Sequence, residues 1–225
     1  MLFRSHIAAG NYDDASIEVL SLKTGERKTL RRGGFSPRYL LTGHLVYLHE
    51  STLFAAPFDS KSLTLTGAPV PILEDAMSTT IAGGDFDFSQ TGLFVYLSGR
   101  ATTFGWPIYW LDGAGKRQLL HASVGRYWTP RLSPDGKRLA FASASGQGVD
   151  IWVKDLERDT PSKLSFVTGD NRNPVWTPDG RNIVFESRDP KTAGLYWIRS
   201  DGSGDRKSTR LNSSHIQKSR MPSSA

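Results

Sequence analysis

Residues 130–141 read PRLSPDGKRLAF, and residues 174–185 read PVWTPDGRNIVF. The second stretch is the first moved on by 44 positions: Pro130 answers Pro174, Gly136 answers Gly180 and Phe141 answers Phe185. The echo runs past the turn, where Asp150-Ile151-Trp152-Val153 answers Gly194-Leu195-Tyr196-Trp197. Each residue of the Ser/Thr-Pro-Asp-Gly core has a role in a turn. Pro134 and Pro178 preset φ, Asp135 and Asp179 bond nearby backbone, and Gly136 and Gly180 accept positive φ at the exit. After the turn the chain alternates as a strand does, with Leu139 and Phe141 on one face and Ala140 and Ala142 on the other.

Working outward, VDIWVKDL at 149–156 and GLYWIRSD at 194–201 read as third strands, and SKLSFV at 162–167 as an outer strand. Four short strands in a period of 44 residues predict an all-β chain built of four-stranded β-propeller blades. A weaker copy lies upstream. FDFSQTGLFVYLSG at 86–99 sets Ser89-Gln90-Thr91-Gly92 where the later copies have Ser-Pro-Asp-Gly, followed by PIYWLDGAGK at 107–116 and RQLLHA at 117–122. Further upstream, YLLTGHLVYLHE at 39–50, TLFAAPFD at 52–59 and APVPILEDA at 68–76 supply another blade. SIEVLSLKTGERKTLRR at 16–32 reads as the outer hairpin of one more. The expected division is a partial blade at 6–34, blades at 35–78, 79–123 and 124–168, and a partial blade at 169–204. That is an incomplete arc of about three whole blades and two partial ones. A β-sandwich with similar hairpins is the competing architecture, and it does not account for spacing kept at several positions per repeat. Expected core residues are Val46, Phe54, Phe94, Tyr96, Tyr109, Leu139, Phe141, Trp152, Ile183, Phe185 and Tyr196.

The two ends read differently. DRKSTRLNSSHIQKSRMPSSA at 205–225 breaks the strand pattern. Its residues Asp205–His215 and Ser219–Ala225 match the translation of a common short-read sequencing adapter, and MLFRS at 1–5 matches the reverse complement. Both segments are therefore expected to lie outside the natural fold, the last as a disordered tail; a genuine basic, serine-rich tail is the other reading. The whole chain has 28 basic and 22 acidic residues and a net charge of +6. Without Arg4, Asp205, Arg206, Lys207, Arg210, Lys218 and Arg220, 22 basic and 21 acidic residues remain, a net of +1. The basic character is thus mostly an end effect, and no nucleic-acid partner is expected. The chain has no cysteine, so disulfide and thiol chemistry are excluded. No apolar run reaches the length of a membrane-spanning helix.

The chain resembles the TolB-type, WD-like β-propeller repeats of bacteria, on LSPDGKRLAF at 132–141, DIWVKDL at 150–156, VWTPDGRNIVF at 175–185 and GLYWIRSDGSG at 194–204. The stretch 43–76, with 86–99, is similar to the propeller that follows the kinase domain in bacterial eukaryote-like Ser/Thr kinases. Similar stretches occur in stand-alone TolB-like proteins and in the propellers of prolyl-oligopeptidase-type peptidases. The resemblance implies a non-catalytic, often periplasmic or otherwise extracytoplasmic module that binds a protein or peptide partner. The alternative is the regulatory or sensor propeller of a kinase or peptidase. Exposed blade edges also predict self-association and poor solubility.

No catalytic constellation stands out. G-x-S-x-G, the glycine-rich kinase loop, H-R-D, D-F-G, the Walker motif and H-E-x-x-H are all absent. No catalytic residue, cofactor or metal site is expected. His6, His44, His49 and His121 lack ligand spacing and read as turn or surface residues, and single aspartates such as Asp135 and Asp179 lack the oxygens calcium needs. The aromatic residues Trp106, Tyr127, Trp128 and Trp176 are the candidate ligand or partner face, with blade packing as the competing role; the pair Tyr127-Trp128 is the first to test.

Overall fold

The computed structural model describes residues 1–6, 12–76, 78–79, 83–99, 107–112, 114–121, 125–146, 148–165, 169–189, 193–203 and 207–208. Among them the chain is all-β, with one 3-10 turn at Tyr12–Asp14. It divides between Pro130 and Arg131 into two compact units, where the repeat pattern predicts one continuous array.

The first unit begins with β1 (Leu2–His6), β2 (Ser16–Leu20) and β3 (Arg27–Arg32), an antiparallel sheet in that order. The segment read as external thus supplies β1, whose five residues pair in register with β2 from Leu2↔Leu20 to His6↔Ser16. Next come β4 (Phe35–Leu40), β5 (His44–His49), β6 (Thr52–Asp59), β7 (Thr64–Leu65) and β8 (Val70–Leu73). They form a five-stranded sheet in which both β7 and β8 pair with β6. A two-residue ribbon, β9 (Ser78–Thr79) with β10 (Gly83–Gly84), leads to β11 (Phe86–Phe88), β12 (Phe94–Leu97), β13 (Ile108–Leu111) and β14 (Arg117–His121), a four-stranded meander.

The chain enters the second unit within β15 (Tyr127–Leu132), the first strand of the order β15-β16-β17-β18, with β16 at Arg138–Ser145, β17 at Gly148–Asp155 and β18 at Thr160–Lys163. The last sheet is β19 (Asn171–Trp176), β20 (Asn182–Ser187), β21 (Gly194–Arg199) and β22 (Lys207–Ser208). Among the described residues, and apart from the β9–β10 ribbon, four strands per sheet holds for three of the five sheets; the first has three and the second five. β22 lies in the segment expected to be disordered and pairs Tyr196↔Ser208 and Trp197↔Lys207.

Core forms where the faces of neighbouring sheets meet. In the first unit one cluster joins Ile17 and Val19 of β2 to Leu45, Tyr47 and Phe58 of the second sheet. Another joins Phe35, Val46, Leu48 and Leu53 to Phe86, Phe94 and Tyr96 of the third. Its rings are ordered: Phe88 stacks on Phe94 at 4.4 Å and Phe94 on Tyr96 at 5.5 Å. In the second unit both faces of β16 are covered, so Leu139, Ala140, Phe141 and Ala142 are all buried although they alternate in direction. Of the expected core residues, Val46, Phe94, Tyr96, Leu139, Phe141, Ile183 and Phe185 are buried, whereas Phe54, Tyr109, Trp152 and Tyr196 are half-buried.

Candidate functional site

The turns that the repeat motif builds are pinned in the same way each time. Ser133 closes its turn by accepting the N–H of Arg138 on Oγ at 2.9 Å and donating that hydroxyl to Asp135 Oδ1 at 2.5 Å. Thr177 does the same with Asn182 N at 3.0 Å and Asp179 Oδ1 at 2.6 Å. Gly136 and Gly180 take φ of 71° and 66°, which a side chain would strain. In the weaker copy Ser89 accepts from Leu93 N at 2.9 Å, and Thr91 Oγ1, 2.7 Å from Ser89 Oγ, replaces the aspartate. The hydroxyl of Ser133 beside the Asp135 carboxyl holds it below the usual carboxylate range, and Thr177 acts likewise on Asp179.

A second feature recurs in, or just before, the first strand of four of the sheets. Ser36, Asp85, Thr129 and Asn173 occupy one repeat position, seven residues before Gly43, Gly92, Gly136 and Gly180. Ser36, Thr129 and Asn173 have positive φ of 52°, 48° and 55°, and each precedes a proline. The sheet register slips at this point between Phe35 and Arg38 and between Arg172 and Val175. Proline offers no N–H to a ladder, and a bulge is where a sheet tolerates it. Within the first unit the position also links successive sheets. Ser5 Oγ accepts from Ser36 N at 2.9 Å, Ser36 Oγ from Gly84 N at 2.7 Å, and Asp85 Oδ1 from Thr129 N at 2.8 Å.

Beside this seam, the β4–β5 and β11–β12 turns of two adjacent sheets enclose an open groove of about 300 Å³. Tyr39, Leu40, Leu41 and Phe88 give it apolar walls, and Arg38, Asp87, Ser89 and Gln90 place polar groups of both signs along it. Its walls are tied by local contacts. The first turn is closed by Gly43 N to Leu40 O at 3.0 Å and the second by Ser89, while Phe88 is stacked on Phe94 and Tyr39 meets Phe58 edge-on at 5.8 Å. Leu41 stands at the mouth, 81% exposed. None of these residues is among the candidates that the sequence alone offers. A Leu-Leu-Thr run at a turn, where the other copies place polar residues, was the one signal available.

The described aromatic candidates are divided between the two units. Trp106 lies outside the described residues. Tyr127 is buried, and burial pushes its phenol up; Trp128 beside it is half-buried. Trp176 belongs to the other unit, where it is 9% exposed, donates Nε1 to Arg131 O at 2.9 Å and lies under the Arg138 guanidinium at 4.8 Å. Arg138 also donates to Gly180 O at 2.9 Å and Ser200 Oγ at 2.8 Å, so Trp176 serves a packed joint between sheets. His44 sits at its turn, with Nδ1 3.2 Å from Thr42 Oγ1. No group of three or more His, Asp or Glu side chains suited to a metal occurs among the described residues, and no helix there is long and apolar enough to cross a membrane.

Residues 107–224, just over half of the chain, match the family described as TolB beta propeller domain. The chain belongs to the TolB beta propeller family. An uncharacterized protein of Agrobacterium fabrum is 30% identical over 193 residues, which cover 84% of this chain and 64% of that protein. The Tol-Pal system protein TolB of Alcanivorax borkumensis is 26% identical over 169 residues, 74% of this chain and 38% of that one. This TolB-type chain therefore matches less than two thirds of the length of either curated relative. The crystal structure of TolB from Acinetobacter baumannii has the same fold, with a TM-score of 0.73 at 16% identity over 91% of this chain and 51% of that one.

Proposed function

We propose that this TolB-type chain is a non-catalytic binding module that takes an extended protein or peptide segment in the groove between the β4–β5 and β11–β12 turns. The observation that carries this reading is the groove itself: apolar walls, polar groups of both signs, and turns held by hydrogen bonds that need no rearrangement on binding. A preformed site of this kind limits the ordering cost of association, which otherwise consumes much of the gain from contact. Leu41 supplies an exposed apolar anchor. The relatives named as Tol-Pal system proteins favour a protein partner over a small molecule.

A peptide-display selection against the full chain tests this. Enriched peptides should bind at least about tenfold more weakly to Leu41→Asp, because an unpaired carboxylate would then face the apolar part of the ligand. Peptides that enrich but bind Leu41→Asp and Gln90→Arg as well as the parent would place the site elsewhere and overturn the assignment.

A further inference from the structure

In the second unit the last two sheets part around a cleft of about 330 Å³. Its floor is apolar, made by Val153 of β17 and by Leu164 just beyond β18, both buried. One wall is the β17–β18 hairpin, with Asp155, Arg158, Thr160 and Ser162. Thr160 lies opposite Asp155 and Ser162 opposite Val153 in the register, so these side chains share one face of their sheet. The other wall is Ser200 and Asp201 at the end of β21. Gly202 closes the seam there, since a Cβ on it would lie 3.5 Å from Leu164 Cδ2. Arg138, the first residue of β16, crosses the gap between the two sheets, donating to Gly180 O at 2.9 Å and Ser200 Oγ at 2.8 Å. Both walls are therefore made by described residues that face each other within one unit.

The charges open to a ligand in this cleft are cationic. Arg138 is held by neutral groups, the two oxygens and the Trp176 ring beneath it, and forms no ion pair among the described residues. The Arg158 guanidinium makes neither a hydrogen bond nor an ion pair among those residues. The carboxylates, by contrast, are committed. Asp155 Oδ1 accepts Arg158 N at 2.9 Å and Glu157 N at 3.0 Å. Asp201 takes Arg199 Nη2 at 2.7 Å and Ser203 N at 2.8 Å. We infer that the cleft binds a small oxyanion with two or more negative charges, a phosphate or a dicarboxylate, between Arg138 and Arg158. A guanidinium fork matches paired oxygens of this kind, and the exposed Ser162 adds a hydroxyl donor on the same wall. Because Arg138 is already fixed by its hydrogen bonds, little side-chain freedom is lost there on binding. The groove at the β4–β5 turn belongs to the other unit, so either reading can fail alone.

Titration calorimetry on the full chain tests this, with inorganic phosphate and with succinate, in a zwitterionic buffer of low ionic strength. Saturable binding of at least one anion is expected. It should weaken about tenfold or more in Arg158→Gln, which removes a charged donor, and in Ser162→Asp, which sets a carboxylate on the wall. Both residues are exposed, and thermal melts that match the parent separate loss of the site from loss of the fold. Lys116→Gln removes an exposed cation from the first unit and should leave binding unchanged. Binding of one anion alone, weakened by both variants, upholds the site and selects between the two oxyanion shapes. Binding of neither anion overturns the inference. So does binding indifferent to Arg158→Gln and Ser162→Asp, or weakened as much by Lys116→Gln, since general charge attraction would then account for it.

Discussion

Asp85 Oδ1 accepts the backbone N–H of Thr129 at 2.8 Å, across 44 residues of sequence. The aspartate is 3% exposed, so the bond is made by an ionisable group almost removed from water. It ties the first strand of one sheet to the start of the next at a residue whose backbone is already held at positive φ. Removing one partner leaves a buried N–H without an acceptor, at a cost of about 1–3 kcal/mol. Asp85→Ala should lower the urea midpoint accordingly. Asp85→Ser should recover part of the loss, since Ser36 fills the same position and accepts from Gly84 N. Equal destabilisation by both variants would show that the hydrogen bond is not the cause.

The turn hydroxyls give a second prediction. Ser133 is fully buried and its Oγ bridges Arg138 N and Asp135. Ser133→Ala should cost about 1–3 kcal/mol in chemical denaturation, while Ser133→Thr, the residue the next repeat uses at Thr177, should cost far less. If Ser133→Thr is as damaging as Ser133→Ala, the turn geometry is not interchangeable between repeats.

Acid pH should weaken these turns in a defined direction. Asp135 and Asp179 are held below the ordinary carboxylate range by Ser133 and Thr177 and by nearby backbone N–H groups. A carboxyl whose folded pKa is lowered contributes stability that is fully present above its unfolded value and is lost as pH falls through the folded one. The parent should therefore lose stability below about pH 4. The Asp135→Asn/Asp179→Asn chain should be less stable at neutral pH and should converge with the parent in acid. Melting curves across that range that stay parallel would contradict it.

Trp176 makes two separable contacts, an indole N–H to Arg131 O and a ring under Arg138. Trp176→Phe keeps a ring and loses the donor, which should cost about 1 kcal/mol, whereas Trp176→Ala should cost about 3–5 kcal/mol. Arg138→Lys should also destabilise, because one ammonium cannot reach Gly180 O and Ser200 Oγ while lying flat on the indole. Thermal melts check the assignment: Trp176→Ala should melt well below Trp176→Phe, and Arg138→Lys below the parent.

Much of this was legible in the order of residues. Pro134-Asp135-Gly136 and its copy at 178–180 specify a turn by local chemistry alone, and the strands on either side alternate because a pleat has a period of two. The Ser/Thr/Asn-Pro pairs at 36–37, 129–130 and 173–174 are also in plain view, but the bulge at the first and last of them is a matter of pairing, visible only once the second strand is in place. The groove escaped because Leu41 and Gln90 are 49 positions apart and meet only when their sheets lie side by side. Trp176 shows the same limit: composition marks a large aromatic that suits blade packing or a partner face, and only the neighbouring sheet shows its contacts with Arg131 O and Arg138.

By itself, the sequence determined the repeat, its turns and the all-β class, since turn formation and strand alternation depend on residues a few positions apart. Tertiary structure decided which side of each strand is covered. Val175 and Val184 are ordinary strand residues on paper, as Ala140 and Val153 are. Their exposure differs because burial depends on what stands about 10 Å above a sheet face, and nothing within the repeat itself encodes that.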